Sequence, residues 1–107
     1  MTTIRYFEED GVCHLTVDGH AGYAPDGQDI VCAAVSTLIC TLNGCLQEAY
    51  DRGCLAQYDT RMEPGDVQLC WTPETDATGR IRCIWETVEM GLSLLAGQYP
   101  AYVEMEE

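Results

Sequence analysis

The sequence predicts an α+β fold: a two-layer sandwich in which a largely antiparallel sheet carries two helices on one face, in the order ββαββαβ. Three observations lead there. Four strand-like segments come in two pairs, each joined by a short turn containing glycine. Two longer segments place apolar residues at helical spacing, one after each pair. Paired strands followed by single helices build a sheet with helices segregated to one side. The 107 residues suffice for one compact domain and are too few for two.

Thr2–Glu8 and Val12–Asp18 read as the first strands, joined by the turn Glu9-Asp10-Gly11. In the second strand Cys13, Leu15 and Val17 alternate with His14, Thr16 and Asp18, giving one buried and one wet face. His14 lies on the wet face and receives no role. From Gly19 to Gln28 three glycines and Pro25 mark a loop. Asp29 is an N-cap for a helix from Ile30 to about Arg52, with Val31, Val35, Leu38, Leu42, Cys45, Leu46 and Ala49 on its apolar stripe and Gly53 as its stop. Leu55–Met62 and Val67–Trp71 form a hairpin around Glu63-Pro64-Gly65-Asp66, where proline suits the second turn position and glycine the third, which needs positive φ. A second helix is expected from Ala77 to Ala96, with Ile81, Trp85, Val88, Leu92 and Leu95 inward and Gly97 and Pro100 ending it. Ala101–Met105 is a short last strand. The other sheet face is then solvated or covered by a second subunit.

Composition narrows the function. Hydrophobic residues make up 47%, which excludes a disordered chain despite a net charge of −13. The five basic residues are all arginine. Such a surface repels nucleic acid and anionic lipid and can attract a basic protein or peptide; solubility alone also accounts for it. The apolar run Ile30 to Cys40 is too short to span a bilayer. The start MTTIRYFEEDG shows no basic or apolar signal region, so a cytoplasmic chain with reduced thiols is expected. Of the seven cysteines most are expected to be core filler. No C-x-x-C pair occurs, and the spacing of Cys13, His14, His20 and Cys32 matches no usual ligand pattern. No metal and no cofactor is expected.

The informative stretch is Asp18–Ser36, DGHAGYAPDGQDIVCAAVS. It puts His20 where a strand ends and Cys32 in the first turn of a helix. Unpaired N–H groups and the positive dipole end favour a thiolate there, and they can hold an oxyanion. A histidine titrates near neutral pH, so His20 can take the thiol proton and later protonate a leaving amine. Each residue also has a plain structural reading. Cys32 fits as a core residue, His20 as a strand end and Asp29 as a cap, while Gly19, Gly22 and Gly27 simply permit positive φ.

DGHA, five residues, then G-x-DIVCA-x-x-S strongly resembles the signature of the ribosomal-processing cysteine proteases, the Prp family, without a gap from Asp18 to Ser36. The ββαββα order and the chain length agree over nearly the whole sequence. The resemblance implies that His20 is the general base and Cys32 the nucleophile of a thioester-forming endopeptidase. It implies that Asp29 and Ser36 support the site, and that Gly19 and Gly27 end a mobile loop containing Gly22. It also implies a cytoplasmic homodimer that removes a short N-terminal extension from large-subunit ribosomal protein twenty-seven, a basic substrate, cutting beside aromatic residues. Ala21–Asp26 departs from the family pattern in having Tyr23 and Pro25, so substrate contacts of that loop do not carry over.

Asp29 raises a conflict. A carboxylate beside Cys32 raises a thiol's pKa, so Asp29 either faces His20 and stabilises its cation or caps the helix and offsets the dipole. In the second case the thiolate forms only with substrate and His20 in place. Two other classes stay open: a non-catalytic acidic module that binds a basic ribosomal protein or assembly factor, and a redox-sensing thiol protein, for which Cys32 lacks an obvious resolving partner.

Overall fold

The computed structural model describes residues 1–106. Its elements are β1 (Thr2–Glu9), β2 (Val12–Asp18), α1 (Ile30–Asp51), β3 (Leu55–Glu63), β4 (Asp66–Pro73), α2 (Thr78–Gln98) and β5 (Val103–Glu106), with a single 3-10 turn at Thr75–Ala77 before α2. This is the expected ββαββαβ order.

Local chemistry sets both hairpins. Asp10 and Gly11 both have positive φ, 53° and 78°, and Glu9 pairs with Val12 across them. That is a two-residue turn whose twist matches the flanking strands. The second turn leaves only Pro64 and Gly65 between the paired Glu63 and Asp66, with Gly65 at φ 72°. The five strands lie in the order β3-β4-β2-β1-β5. All pairs are antiparallel except the edge pair, where β5 runs parallel to β1.

The register sorts side chains between two faces. Ile4, Cys13, Leu15, Val17, Leu69 and Trp71 are buried and join the helix stripes in one core, so both helices cover the same face. Thr3, Arg5, His14, Thr16, Asp18, Gln68 and Cys70 occupy the other face, in register across β1, β2 and β4. It is mostly polar, with Phe7 stacked on His14 at a ring-centroid distance of 4.6 Å. Tyr58, Tyr102 and Met105 all pack against the helix-side core. They therefore do not line an apolar contact on the open face.

The helix ends follow known backbone preferences. Asp29 caps α1, and at the other end Cys54 N–H donates to Ala49 O and Gly53 N–H to Tyr50 O, at 2.8 and 3.0 Å, with Gly53 at φ 80°. That pair of bonds is a Schellman stop. The stripe of α1 is Val31, Val35, Ile39, Leu42, Leu46 and Ala49. Cys45 is exposed, and Leu38 sits at the stripe's edge against α2, where a Cβ on Gly91 would meet its Cδ2 at 2.9 Å. The second helix runs through Gly97 and stops at Gln98. Glycine weakens a helix without breaking it, whereas Pro100 disfavours helical backbone at Tyr99.

Two expectations are corrected. Only Cys13 of the seven cysteines is buried; Cys40, Cys45 and Cys83 are exposed. Cys83 points away from the Ile81 and Trp85 stripe, and Cys70 alternates with the buried Leu69 and Trp71. By length and composition α1 is also apolar enough to cross a bilayer. Its stripe is spent on the core instead.

Candidate active site

The site forms where β2 hands the chain to α1 under the β3–β4 turn. Asp18 ends β2, and Gly19 turns at φ 85°. Only glycine fits there, because a Cβ would lie 2.5 Å from Met1 O. Gly19 N–H donates to Gly65 O at 2.9 Å, and Thr2 Oγ1 donates to Gly19 O at 3.4 Å. The backbone entering His20 is thus tied on one side to the β3–β4 turn and on the other to the start of β1. The His20 side chain is exposed.

The loop returns through Gly22 and Gly27, at φ 74° and 84°. Gln28 N–H donates to Pro25 O at 2.9 Å. Tyr23 meets Tyr99 and Tyr102 edge-on, with centroids 5.7 and 5.2 Å apart. Tyr23 therefore anchors this loop to the α2–β5 connection.

Asp29 resolves the conflict set out above. Its Oδ1 accepts from Cys32 N–H at 2.9 Å, and its Oδ2 accepts from Tyr23 N–H at 2.9 Å and Ala24 N–H at 3.4 Å. The Cys32 N–H bond is the main reason its carboxyl sits below the ordinary aspartate pKa, with the loop N–H bonds adding to it. Both oxygens serve the helix cap and the loop, so Asp29 does not orient His20. Two of the N–H groups at the helix start are also engaged: Cys32 N–H by that cap, and Ala33 N–H by Asp29 O at 3.0 Å.

Cys32 is half-buried, and Ser36 follows one turn later on the exposed side of α1. Two cavities open at this point. The larger, about 810 Å³, runs along the loop past Gly22, Gly27 and Asp29. The smaller, about 350 Å³, lies between α1 and the β3–β4 turn, with apolar walls from Val17, Val35, Ile39, Met62 and Val67. They share His20, Asp26, Cys32, Ser36 and Pro64, so the thiol and the imidazole stand where a groove and an apolar pocket meet. That arrangement suits an extended peptide with one side chain in the pocket and the scissile carbonyl over Cys32.

The structure thus gathers His20, Cys32, Asp29, Ser36 and the glycines Gly22 and Gly27 around one opening, with Gly19 behind it. Cys13 and His14 lie elsewhere, in the core and on the open sheet face, so the cluster Cys13, His14, His20, Cys32 does not assemble. The contribution of Pro64 and Gly65 was not foreseen: their sequence signals a turn and says nothing about what the turn covers.

Comparison with known proteins agrees with this geometry. Residues 1–104 match the family described as Cysteine protease Prp. The ribosomal processing cysteine protease Prp of Mycoplasma pneumoniae is 33% identical over 93 residues, covering 87% of this chain and 85% of that protein. Among solved structures, the essential ribosomal processing protease Prp from S. aureus in complex with a covalently linked product peptide superposes with a TM-score of 0.73 at 18% identity, over 99% of this chain and 98% of that one. The same S. aureus protease with a substrate peptide gives 0.68 at 18% identity, again over 99% and 98% of the two chains. A Streptococcus mutans protein gives 0.70 at 24% identity, over 99% of this chain and 92% of that one. At those identities the structural likeness is one of fold, while the sequence matches carry the family. With the fold, the signature and the whole-length match in agreement, this chain belongs to the Prp family of ribosomal-processing cysteine proteases.

Proposed function

We propose that this chain is an endopeptidase that removes the N-terminal extension of large-subunit ribosomal protein twenty-seven, with Cys32 as nucleophile and His20 as base. The observation that carries the proposal is the meeting of His20 and Cys32 at the junction of the groove and the apolar pocket. His20 takes the Cys32 proton as the sulfur attacks the scissile carbonyl, then returns it to the leaving amine. The resulting thioester is hydrolysed by a water that His20 deprotonates. The S. aureus relative has been solved with a covalently linked product peptide, which supports this fold's capacity to hold a peptide. Since Asp29 takes the Cys32 and Ala33 N–H groups, the thiol is activated chiefly by His20 once substrate fills the groove. Ser36 adds a hydroxyl to the groove wall, and the loop between Gly19 and Gly27 moves to admit the peptide. The proposal includes a homodimer and a cytoplasmic location, which suits seven free thiols.

The test is incubation with that ribosomal protein bearing its extension, followed by mass spectrometry. Cleavage is expected to fall by about 10³-fold or more in Cys32→Ala and in His20→Ala, with the thermal midpoint near that of the parent. Turnover by purified Cys32→Ala at the parent rate overturns the assignment.

A further inference from the structure

Catalysis by an imidazole depends on where its ring is held, and Asp29, one of whose two possible roles was to face that ring, is occupied elsewhere. Both oxygens of Asp29 accept from backbone N–H groups. Among the described residues no hydrogen bond reaches the His20 ring. An exposed imidazole without a partner populates several rotamers, only one of which serves the thiol.

One contact does constrain the ring, and it comes from β3–β4. A Cβ built on Gly65 would lie 2.9 Å from His20 Nε2, 3.3 Å from Cε1 and 3.4 Å from Cδ2. The ring therefore lies over the Gly65 Cα, with its Nε2 corner closest. Gly65 O also accepts from Gly19 N–H, so one residue fixes both the backbone before His20 and the seat of its ring. We infer that Gly65 is a positioning residue for the reaction, setting the His20 imidazole against Cys32 by close packing in place of a carboxylate. This rests on the reading of His20 as the base.

Gly65 also needs positive φ, so its replacement strains the turn whatever it does to His20. Gly53 separates the two effects: it has φ 80°, and a Cβ there meets nothing within 4 Å. Gly53→Ala carries the backbone strain alone, at the far end of α1 from the site. Gly65→Ala carries that strain and displaces the ring, which is free to swing because it ends an exposed side chain.

The experiment compares cleavage of the same ribosomal protein by the parent, Gly65→Ala, Gly53→Ala and His20→Ala. The expected result is a similar drop in thermal midpoint for both glycine variants. Only Gly65→Ala should lower kcat, by about 10- to 100-fold with KM within a factor of about two, as for a displaced catalytic group. The His20 ring resonances should shift in Gly65→Ala and stay in place in Gly53→Ala. If Gly65→Ala does not fold, Gly65→Asn decides, since asparagine tolerates left-handed backbone and still brings a Cβ. Parent-like kcat in a folded Gly65 variant, or equal losses in Gly65→Ala and Gly53→Ala, overturns the inference. Undiminished cleavage by His20→Ala overturns the base assignment itself, separately from anything Gly65 does.

Discussion

Seven thiols compete for any electrophile, and their surroundings rank them. Burial pushes the Cys13 thiol up, and burial together with the Asp59 carboxylate pushes Cys70 up, so both stay protonated and slow at neutral pH. Cys40, Cys45 and Cys83 are exposed, so access alone does not single out Cys32. On the proposed mechanism its advantage comes from His20. Limiting iodoacetamide at neutral pH is expected to modify Cys32 first, by peptide mapping, and His20→Ala should bring it down to the rate of Cys40. Asp29→Asn removes a negative charge from the start of α1 and should accelerate Cys32 labelling alone, by about 3- to 10-fold. Equal labelling of Cys32 and Cys40 in the parent would show that the imidazole does not reach the thiol. Because the folded-state pKa of Asp29 is depressed, its contribution is complete above the ordinary aspartate pKa and is lost as pH falls through the lower folded value. The loop cap therefore persists across the neutral range in which cleavage is assayed.

At the scale of elements, the helix layer is held by its stripes and by close approach. Trp85 is 4% exposed and stacks on Tyr6 with centroids 4.4 Å apart, while the Tyr6 hydroxyl donates to Glu8 at 2.7 Å. Trp71 completes this aromatic cluster, 6.1 Å from Trp85. Trp85→Ala removes a large buried ring from the sheet–α2 contact and should lower unfolding free energy by about 3–5 kcal/mol, measured by urea denaturation. Glu86→Ala, one residue on and exposed, should change it by less than about 0.5 kcal/mol. Comparable losses at the two positions would mean that α2 is not docked through this face. The Leu38–Gly91 contact explains why a glycine is tolerated inside α2: the missing side chain lets the helices meet.

For the whole molecule the question is which surface a second copy can use. Two protomers of charge −13 repel, so a contact between them must be poor in charge. The open sheet face displays Arg5, Asp18, Asp59, Arg61 and Asp66 in its register rows. By contrast, α1 has no charged residue from Ile30 to Gln47, and beside it Met90 and Leu94 of α2 are 63% and 67% exposed. The helix layer is the side that suits the proposed homodimer. Analytical ultracentrifugation at micromolar concentration should give a dimer mass for the parent and a monomer mass for Leu94→Asp. A monomeric parent would remove the homodimer from the proposal, and a dimeric Leu94→Asp would move the contact to another face.

What the linear chain determined is what short-range forces decide. The alternation in β2, the helical spacing in α1 and α2, the cap at Asp29 and the turns at Asp10-Gly11 and Pro64-Gly65 all follow from backbone sterics and periodicity within a few residues. The signature around His20 and Cys32 was legible for the same reason, since both flank one loop. Tertiary structure decided the rest. Whether Asp29 served His20 or the helix depended on where Tyr23 and Ala24 N–H groups came to lie. Which cysteines were covered depended on which faces pack together: Cys13 lies on the helix-covered face of the sheet, while Cys40, Cys45 and Cys83 fall off the helix stripes. The parallel seat of β5 beside β1, and the turn that carries Gly65 over the His20 ring, depend on strand order. Strand order is set by packing among residues distant in sequence, so no local pattern contains it.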